Sequence, residues 1–245
     1  LAQAPVLAIV MRIVFPQPTR EMLFMLSLSC LWFGMSAAVR ELLSDRVIWL
    51  RERRIGVRPL PYLFSKVYVL GALVSVQCVA FALLNLALHP IFVTEYGFGV
   101  GGFAAIAALT GFVGVTLGLF ISAINVSSEG AVGMLPLLLI PQIAFSGILL
   151  SLKRMPAIAY QLTSLNPARF AFDALIKTGE KLGSPRSRGL DWDTTPLSGT
   201  LYNLGLKGDG ADDFGLSMSQ LCVRLFAFAF VFLTGAYLAV RRRRE

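Results

Sequence analysis

The chain alternates between long apolar runs and short polar segments. Five long runs cover residues 22–39, 67–88, 98–124, 131–152 and 221–240. A helix needs about 20 apolar residues to cross the hydrocarbon core of a bilayer. A shorter run, residues 1–15, predicts part of a further helix that ends before Pro16 and Pro18. The pattern therefore predicts an all-α integral membrane domain with six transmembrane helices, the first one truncated.

The bulk composition agrees with this class. Hydrophobic residues make up 56% of the chain and charged residues 15%, whereas soluble domains carry about 25% charged residues. The net charge is +8. In a membrane protein such an excess indicates cytoplasmic loops and contact with anionic lipid, so we expect membrane lipids and no nucleic acid among the partners. The cysteines lie in or beside apolar runs and predict packing residues without a disulfide: Cys30, Cys78 and Cys222.

The distribution of Lys and Arg predicts the orientation. Residues 40–66 contain seven basic residues, and the tail 241–245 contains four arginines. Both segments are expected to be cytoplasmic, which places both termini in the cytoplasm and suggests the plasma membrane. Residues 153–220 are then extracytoplasmic, because loops longer than about 60 residues translocate largely regardless of charge. Leu1 stands directly inside an apolar run, so we expect a chain cut out of a longer one rather than a signal peptide.

Residues 41–56 predict an amphipathic helix. Leu43, Val47 and Leu50 fall on one face at helical spacing. The acidic residues gather on roughly the opposite side: Glu41, Asp45 and Glu52. A basic loop lying on anionic headgroups is one interpretation. Anionic lipid would repel the acidic stripe, however, so the mixed surface suits a protein partner better.

Two stretches resemble the ABC-2 type permeases, and most closely the white/ABCG-like branch. The first runs from FGMSAAVREL to RVIWLRERRIGVRPLPYLFSKV, and the second includes FSG and LNPARF, followed by DAL. The family usually has glutamate where Asp173 stands. The two matches cover about residues 30–180 in the family's order.

The resemblance implies that residues 41–56 form a coupling helix that docks on a cytoplasmic ATPase. Its candidate residues are Glu41, Arg51, Glu52, Arg53, Arg54 and Gly56. Two permease halves, identical or different, would pair around a central path, and ATP-driven closure would switch that path outward. No phosphate-binding loop occurs in this chain. We therefore expect no cofactor here, and ATP and Mg on a fused or separate ATPase domain.

The same resemblance implies that the second and fifth helices line the substrate cavity. Pro136 and Pro141 free backbone carbonyls that should face protein or a water-filled path. The candidate path residues are Leu28, Leu31, Met35, Pro141 and Phe145. This apolar set favours a lipid-like or amphipathic cargo, with core packing as the alternative. We expect no buried charge that could serve a proton relay.

Two further features concern packing. Small residues recur along the fourth run and indicate close helix packing, within the bundle or at a dimer seam: Ala107, Gly111, Gly114 and Gly118. Residues 153–175 are interrupted by prolines and predict an external re-entrant or interfacial segment.

The sequence also limits the possible chemistry. His89 is the single histidine, stands beside Pro90 and predicts a helix boundary rather than a catalytic base. The aspartates at 209, 212 and 213 predict a solvated turn rather than a calcium site. Three functions remain open at this point: the exporter domain, an ATP-independent scramblase or scaffold, and a secondary transporter. The last would be expected to carry intramembrane carboxylates or inverted repeats.

Overall fold

The computed structural model describes residues 3–17, 19–94, 98–148, 161–178 and 216–242. Helices dominate these ranges, and they contain no β-strand. The helices are α1 Gln3–Val14, α2 Arg20–Ala38, α3 Glu41–Ser44, α4 Arg46–Arg54, α5 Pro59–Leu88, α6 Ile91–Thr94, α7 Val100–Ile124, α8 Ser128–Ala144, α9 Pro167–Lys177 and α10 Met218–Arg242. The all-α prediction is confirmed.

Within the described ranges, four stretches are long and apolar enough to cross a membrane. These are α2 together with α3, then α5, α7 and α10. The apolar helices α1 and α8 are shorter, with 12 and 17 residues. At about 1.5 Å per residue both fall short of a 30 Å hydrocarbon core. The protein is built from several membrane-crossing helices, and the count of six stays a prediction.

The centre of the bundle is the pair α2 and α7. Their apolar windows are 72% and 67% buried, against 39% for α5 and 22% for α10. A Cβ atom built on Gly34 of α2 would lie 2.2 Å from the Gly111 carbonyl oxygen, and one on Gly114 would lie 2.3 Å from the Leu31 carbonyl oxygen. Only glycine allows two backbones to approach so closely. Gly111, Gly114 and Gly118 therefore pack inside the chain, as the first of the two interpretations expects.

The outer helices pack around this pair. On α5, the sulfur of Cys78 would lie 2.4 Å from a Cβ on Gly111. On α10, Gly235 faces the ring of Phe120, which a Cβ would approach to 2.7 Å. Helix α5 begins at Pro59 and not at Val67 as the apolar run suggests. Proline is well tolerated in the first turn of a helix, where its missing N–H costs nothing.

The two ends of the bundle differ. Helices α3 and α4 lie at one end, here called the loop end. At the opposite end, here called the far end, α9 packs against the first half of α2, where Phe24 and Phe172 meet edge to face at 5.9 Å. The Thr178 carbonyl oxygen accepts a hydrogen bond from Gly99 N–H (3.0 Å) just before α7. Every residue of α9 from Pro167 to Leu175 is buried.

Helix α8 ends at Ala144, eight residues before the end of the predicted run 131–152. Gly147 follows with a positive φ of 81°. Side chains from α9 and its N-cap satisfy carbonyls near this end. Asn166 Nδ2 donates to the Gln142 carbonyl oxygen (2.8 Å), and Arg169 Nη1 donates to that of Ser146 (2.6 Å). Of the predicted segment 153–220, residues 153–160 and 179–215 lie outside the described residues, so its re-entrant path stays a prediction.

One buried charge pair lies outside the long apolar runs, and the expectation that no buried charge serves a proton relay stays a prediction. Arg169 is completely buried, and its Nε donates to Asp173 Oδ2 at 3.0 Å. The spacing of four residues places both side chains on one face of α9. The sequence argument concerned the long apolar runs, and this pair lies in a short helix outside them.

We predict that Gly114→Ala destabilises the protein, because the added methyl group forces α2 and α7 apart. Overpacking of this kind costs about 1–3 kcal/mol, so the apparent melting temperature should fall by about 5 °C. Fluorescence-detected size exclusion of the full-length protein in detergent measures this shift. Gly133→Ala is the matched control, since a Cβ at Gly133 meets nothing within 4 Å. Equal stability of the two variants would contradict the glycine contact.

Candidate functional site

The loop end joins α2 to α5 through α3 and α4. The predicted single helix 41–56 is divided at Asp45, whose backbone (φ −92°, ψ 7°) belongs to neither helix. Two hydrogen bonds fix this segment to other helices. Leu42 N–H donates to Ser122 Oγ near the end of α7 (3.1 Å), and Arg53 Nη2 donates to the Arg241 carbonyl oxygen of α10 (3.2 Å).

A charge cluster fixes the same segment to α5. Lys66 Nζ lies 2.7 Å from Glu41 Oε1 and also donates to Asp45 Oδ2. All three side chains are partly buried, which strengthens their attraction relative to fully exposed pairs. Glu41 and Asp45 therefore gather on one side, as the pattern predicts, but they bind a lysine of the same chain. The sequence analysis counted Lys66 among the basic residues of 40–66 and within the family resemblance, but did not predict this pairing.

The apolar anchor of α4 is Trp49. Its ring stacks on Tyr62 of α5 with a centroid distance of 4.4 Å and an interplanar angle of 19°. Val47, predicted to lie on the apolar face, is 80% exposed. The break at Asp45 rotates α4 relative to α3, so one continuous helical wheel assigns its faces wrongly.

The outward side of α4 is apolar and basic. Val47, Ile48 and Ile55 are exposed, with Ile55 at 81%. Arg51 and Arg54 are exposed beside them. We call these five residues the α4 outer face. Gly56 ends the segment with φ of 99°, a conformation that favours glycine.

The predicted coupling residues thus fall into two groups. Arg51, Arg54 and Gly56 are exposed, whereas Glu41, Glu52 and Arg53 are partly buried. Sequence reasoning missed Ile48 and Ile55 as surface residues. The only sequence signal for their position at the surface was that both are isoleucines close to arginines in the sequence.

The predicted path residues also divide. Leu31 and Met35 are completely buried, with their backbones against Gly114 and Gly118 of α7. Leu28 and Phe145 are half-buried, and Pro141 is exposed. The accessible line of α2 instead runs through Met25, Leu28 and Trp32. This conformation does not gather the five residues into one cavity wall.

These features can be compared with known proteins. Residues 1–178 match the family model described as ABC-2 type transporter, and this match covers more than half of the 245 residues. The chain belongs to the ABC-2 type transporter family. This ABC-2 transporter chain is a multi-pass membrane protein, and the transporter and permease interpretation of the sequence is confirmed. Its assignment to the white/ABCG-like branch stays a prediction.

A curated relative extends the comparison. The ABC-2 transporter chain is 27% identical over 174 residues to the ABC transporter ATP-binding/permease protein Rv1747 of Mycobacterium tuberculosis. The aligned region covers 66% of this chain and 19% of the relative. The chain therefore spans a small part of the length of the relative that it matches.

We predict that Lys66→Met loosens the loop end, because two partly buried carboxylates lose their shared counter-charge. The two ion pairs together contribute about 1 kcal/mol. Their loss should raise the population of the locally opened segment about fivefold, and tryptic cleavage at Arg51 and Arg54 should be faster by the same factor. Limited proteolysis of the intact protein in membranes measures the rate. Lys66→Arg keeps the charge and should cleave at the wild-type rate. Unchanged cleavage of Lys66→Met would show that the cluster does not hold the segment.

Proposed function

We propose that this ABC-2 chain forms the translocation path of an ATP-driven exporter and couples it to a cytoplasmic nucleotide-binding domain. That domain, fused or separate, would carry ATP and Mg. The name of the relative, ATP-binding/permease protein, supports such a pairing. In this proposal the loop end faces the cytoplasm, in the plasma membrane, with both termini on the same side. A second permease half would complete the path.

The coupling segment is supported by how α3 and α4 are fixed. Three separate contacts join them to α5, α7 and α10: Lys66 with its two carboxylates, Leu42 with Ser122, and Arg53 with Arg241. A force applied to α4 therefore reaches three long helices at once. This is the observation that carries the proposal, because a loop that only lies on lipid needs no such attachment.

The α4 outer face supports a protein partner. Exposed apolar side chains beside arginines are typical of interfaces, where apolar residues form the centre and charges the rim. We propose that the nucleotide-binding domain covers Val47, Ile48 and Ile55 and offers acidic groups to Arg51 and Arg54. In this role Glu41 positions the segment through Lys66 rather than contacting the ATPase.

The path is proposed between the accessible faces of α2 and α8 and a second half. Pro141 and Leu28 belong to those faces, together with exposed Leu137 and Ile140 of α8. Leu31 and Met35 could contact cargo only after α2 separates from α7, so we propose that they stay packed. The apolar character of the faces supports a lipid-like or amphipathic cargo.

We predict that Val47→Asn with Ile55→Asn uncouples the protein without unfolding it. Both side chains are exposed, so the substitutions remove partner contacts and leave the internal packing unchanged. The substitutions remove two apolar contacts with the nucleotide-binding domain, each of about 1 kcal/mol. The weaker contact should lower the ATP hydrolysis of the complete protein in membranes about tenfold or more.

Val126→Asn is the matched control for this prediction. Val126 is 81% exposed and lies in the α7–α8 connection at the loop end. Wild-type hydrolysis in the control and a loss in the double variant support the coupling proposal. Equal hydrolysis in both variants would show that the α4 outer face is not the contact with the nucleotide-binding domain. No hydrolysis by the wild-type protein would favour an ATP-independent scramblase or scaffold, in which α4 meets lipid.

A further inference from the structure

Arg224 is a charged residue inside an apolar helix. Between Met218 and Val240 it is the one ionisable cation, and the next charges are Arg241 and Arg242 at the helix end. At 1.5 Å per residue it lies about 9 Å from the first residue of α10. An ionisable group within a membrane helix is costly and usually has a specific partner.

The contacts of Arg224 place it at the seam between α9 and α10. Its guanidinium carbon lies 4.9 Å from the ring centroid of Phe170, which is completely buried. The ring of Phe228, one turn further along α10, lies 5.9 Å from Phe170. Arg224 itself is half-buried. The seam therefore holds the guanidinium against an aromatic face and leaves one side of it accessible.

The described residues supply no carboxylate for Arg224. Glu41 and Asp45 pair with Lys66, and Asp173 pairs with Arg169. A guanidinium carries five N–H donors and stays charged in proteins. The Phe170 ring attracts the positive charge of the guanidinium, but it has no lone pair that could accept a hydrogen bond from these N–H groups. Arg224 thus presents hydrogen-bond donors to whatever occupies the accessible side.

The surroundings indicate which acceptor fits. Val223 and Phe226, beside Arg224 on α10, are 65% and 59% exposed on the apolar surface of the helix. A bilayer lipid can therefore reach the seam from the side. Near the start of α10, Lys177 of α9 donates to the Leu216 carbonyl oxygen. Arg169 and Asp173 balance each other's charge, so the positive charge of the seam comes from Lys177 and Arg224.

We propose that Arg224 binds the phosphate of an anionic lipid headgroup at the α9–α10 seam. The planar fork of arginine matches phosphate geometry and allows two parallel hydrogen bonds. A long basic side chain near a helix end also extends toward headgroup depth while its stem stays in apolar surroundings. This site goes beyond the exporter proposal and does not require an ATPase.

The test is lipid retention by the full-length protein in native mass spectrometry. The probes are phosphatidylglycerol and phosphatidylcholine with identical acyl chains, added in equal amounts. The wild type should retain phosphatidylglycerol preferentially, and Arg224→Gln should lose this preference about tenfold. Arg224→Lys keeps the charge without the fork and should be intermediate. Size exclusion and melting curves establish that each variant is folded.

Arg12→Gln is the matched control, since Arg12 is an exposed arginine at the far end whose Nη1 donates to the Pro16 carbonyl oxygen at 2.6 Å. Loss in Arg224→Gln with retention in Arg12→Gln supports the site. Equal retention in both, or equal loss in both, overturns it. Inorganic phosphate separates the two sources of the anion: if millimolar phosphate abolishes the preference, the site takes free phosphate and the lipid assignment fails.

Discussion

The close approach of α2 and α7 is the constraint on which the rest of the structure depends. Gly34 and Gly114 let the two backbones touch, and the Leu31 and Met35 carbonyl oxygens lie where side chains would otherwise stand. Lipid tails are as apolar as leucine, so the hydrophobic effect cannot hold two helices together in a bilayer, and tight packing must do so. The outer helices then pack on this pair, through Cys78 of α5 and Gly235 of α10.

The same pair determines what can move. Because α2 and α7 are in backbone contact, α2 separates from α7 only at the cost of that packing, and the accessible faces of α2 and α8 are the surfaces free to meet a second half or a cargo. The loop end is fixed to α7 by Ser122 and to α5 by Lys66. A partner that pushes on α4 therefore acts on the frame of the bundle rather than on a detached loop. The α4 outer face is the surface through which such a push would come.

The sequence predicted the helical class and the long runs, because apolar length and turn residues determine them locally. It predicted the family through the resemblance of two motif stretches. It predicted the division of the loop end poorly. A helical wheel assumes one continuous helix. Because the helix breaks at Asp45, Trp49 is the buried residue of α4, and Val47, which the wheel placed on the apolar face, is exposed. It also missed the charges that the fold buries. Arg169 and Asp173 stand in a short helix outside the long apolar runs, and the packing of α9 against its neighbours removes them from water. Leu28, Leu31 and Met35 share one side of α2 at helical spacing, but spacing does not reveal which side of α2 meets the glycines of α7.

The central claim is that α4 transmits force from an ATPase to the helical frame. The most direct test places a photo-crosslinking amino acid at Val47 in the native, full-length protein and irradiates it in membranes, with and without ATP. Mass spectrometry then identifies what is attached. The account predicts a protein crosslink to a nucleotide-binding domain, with a yield that changes on ATP binding. Attachment to lipid alone, unaffected by ATP, would contradict it.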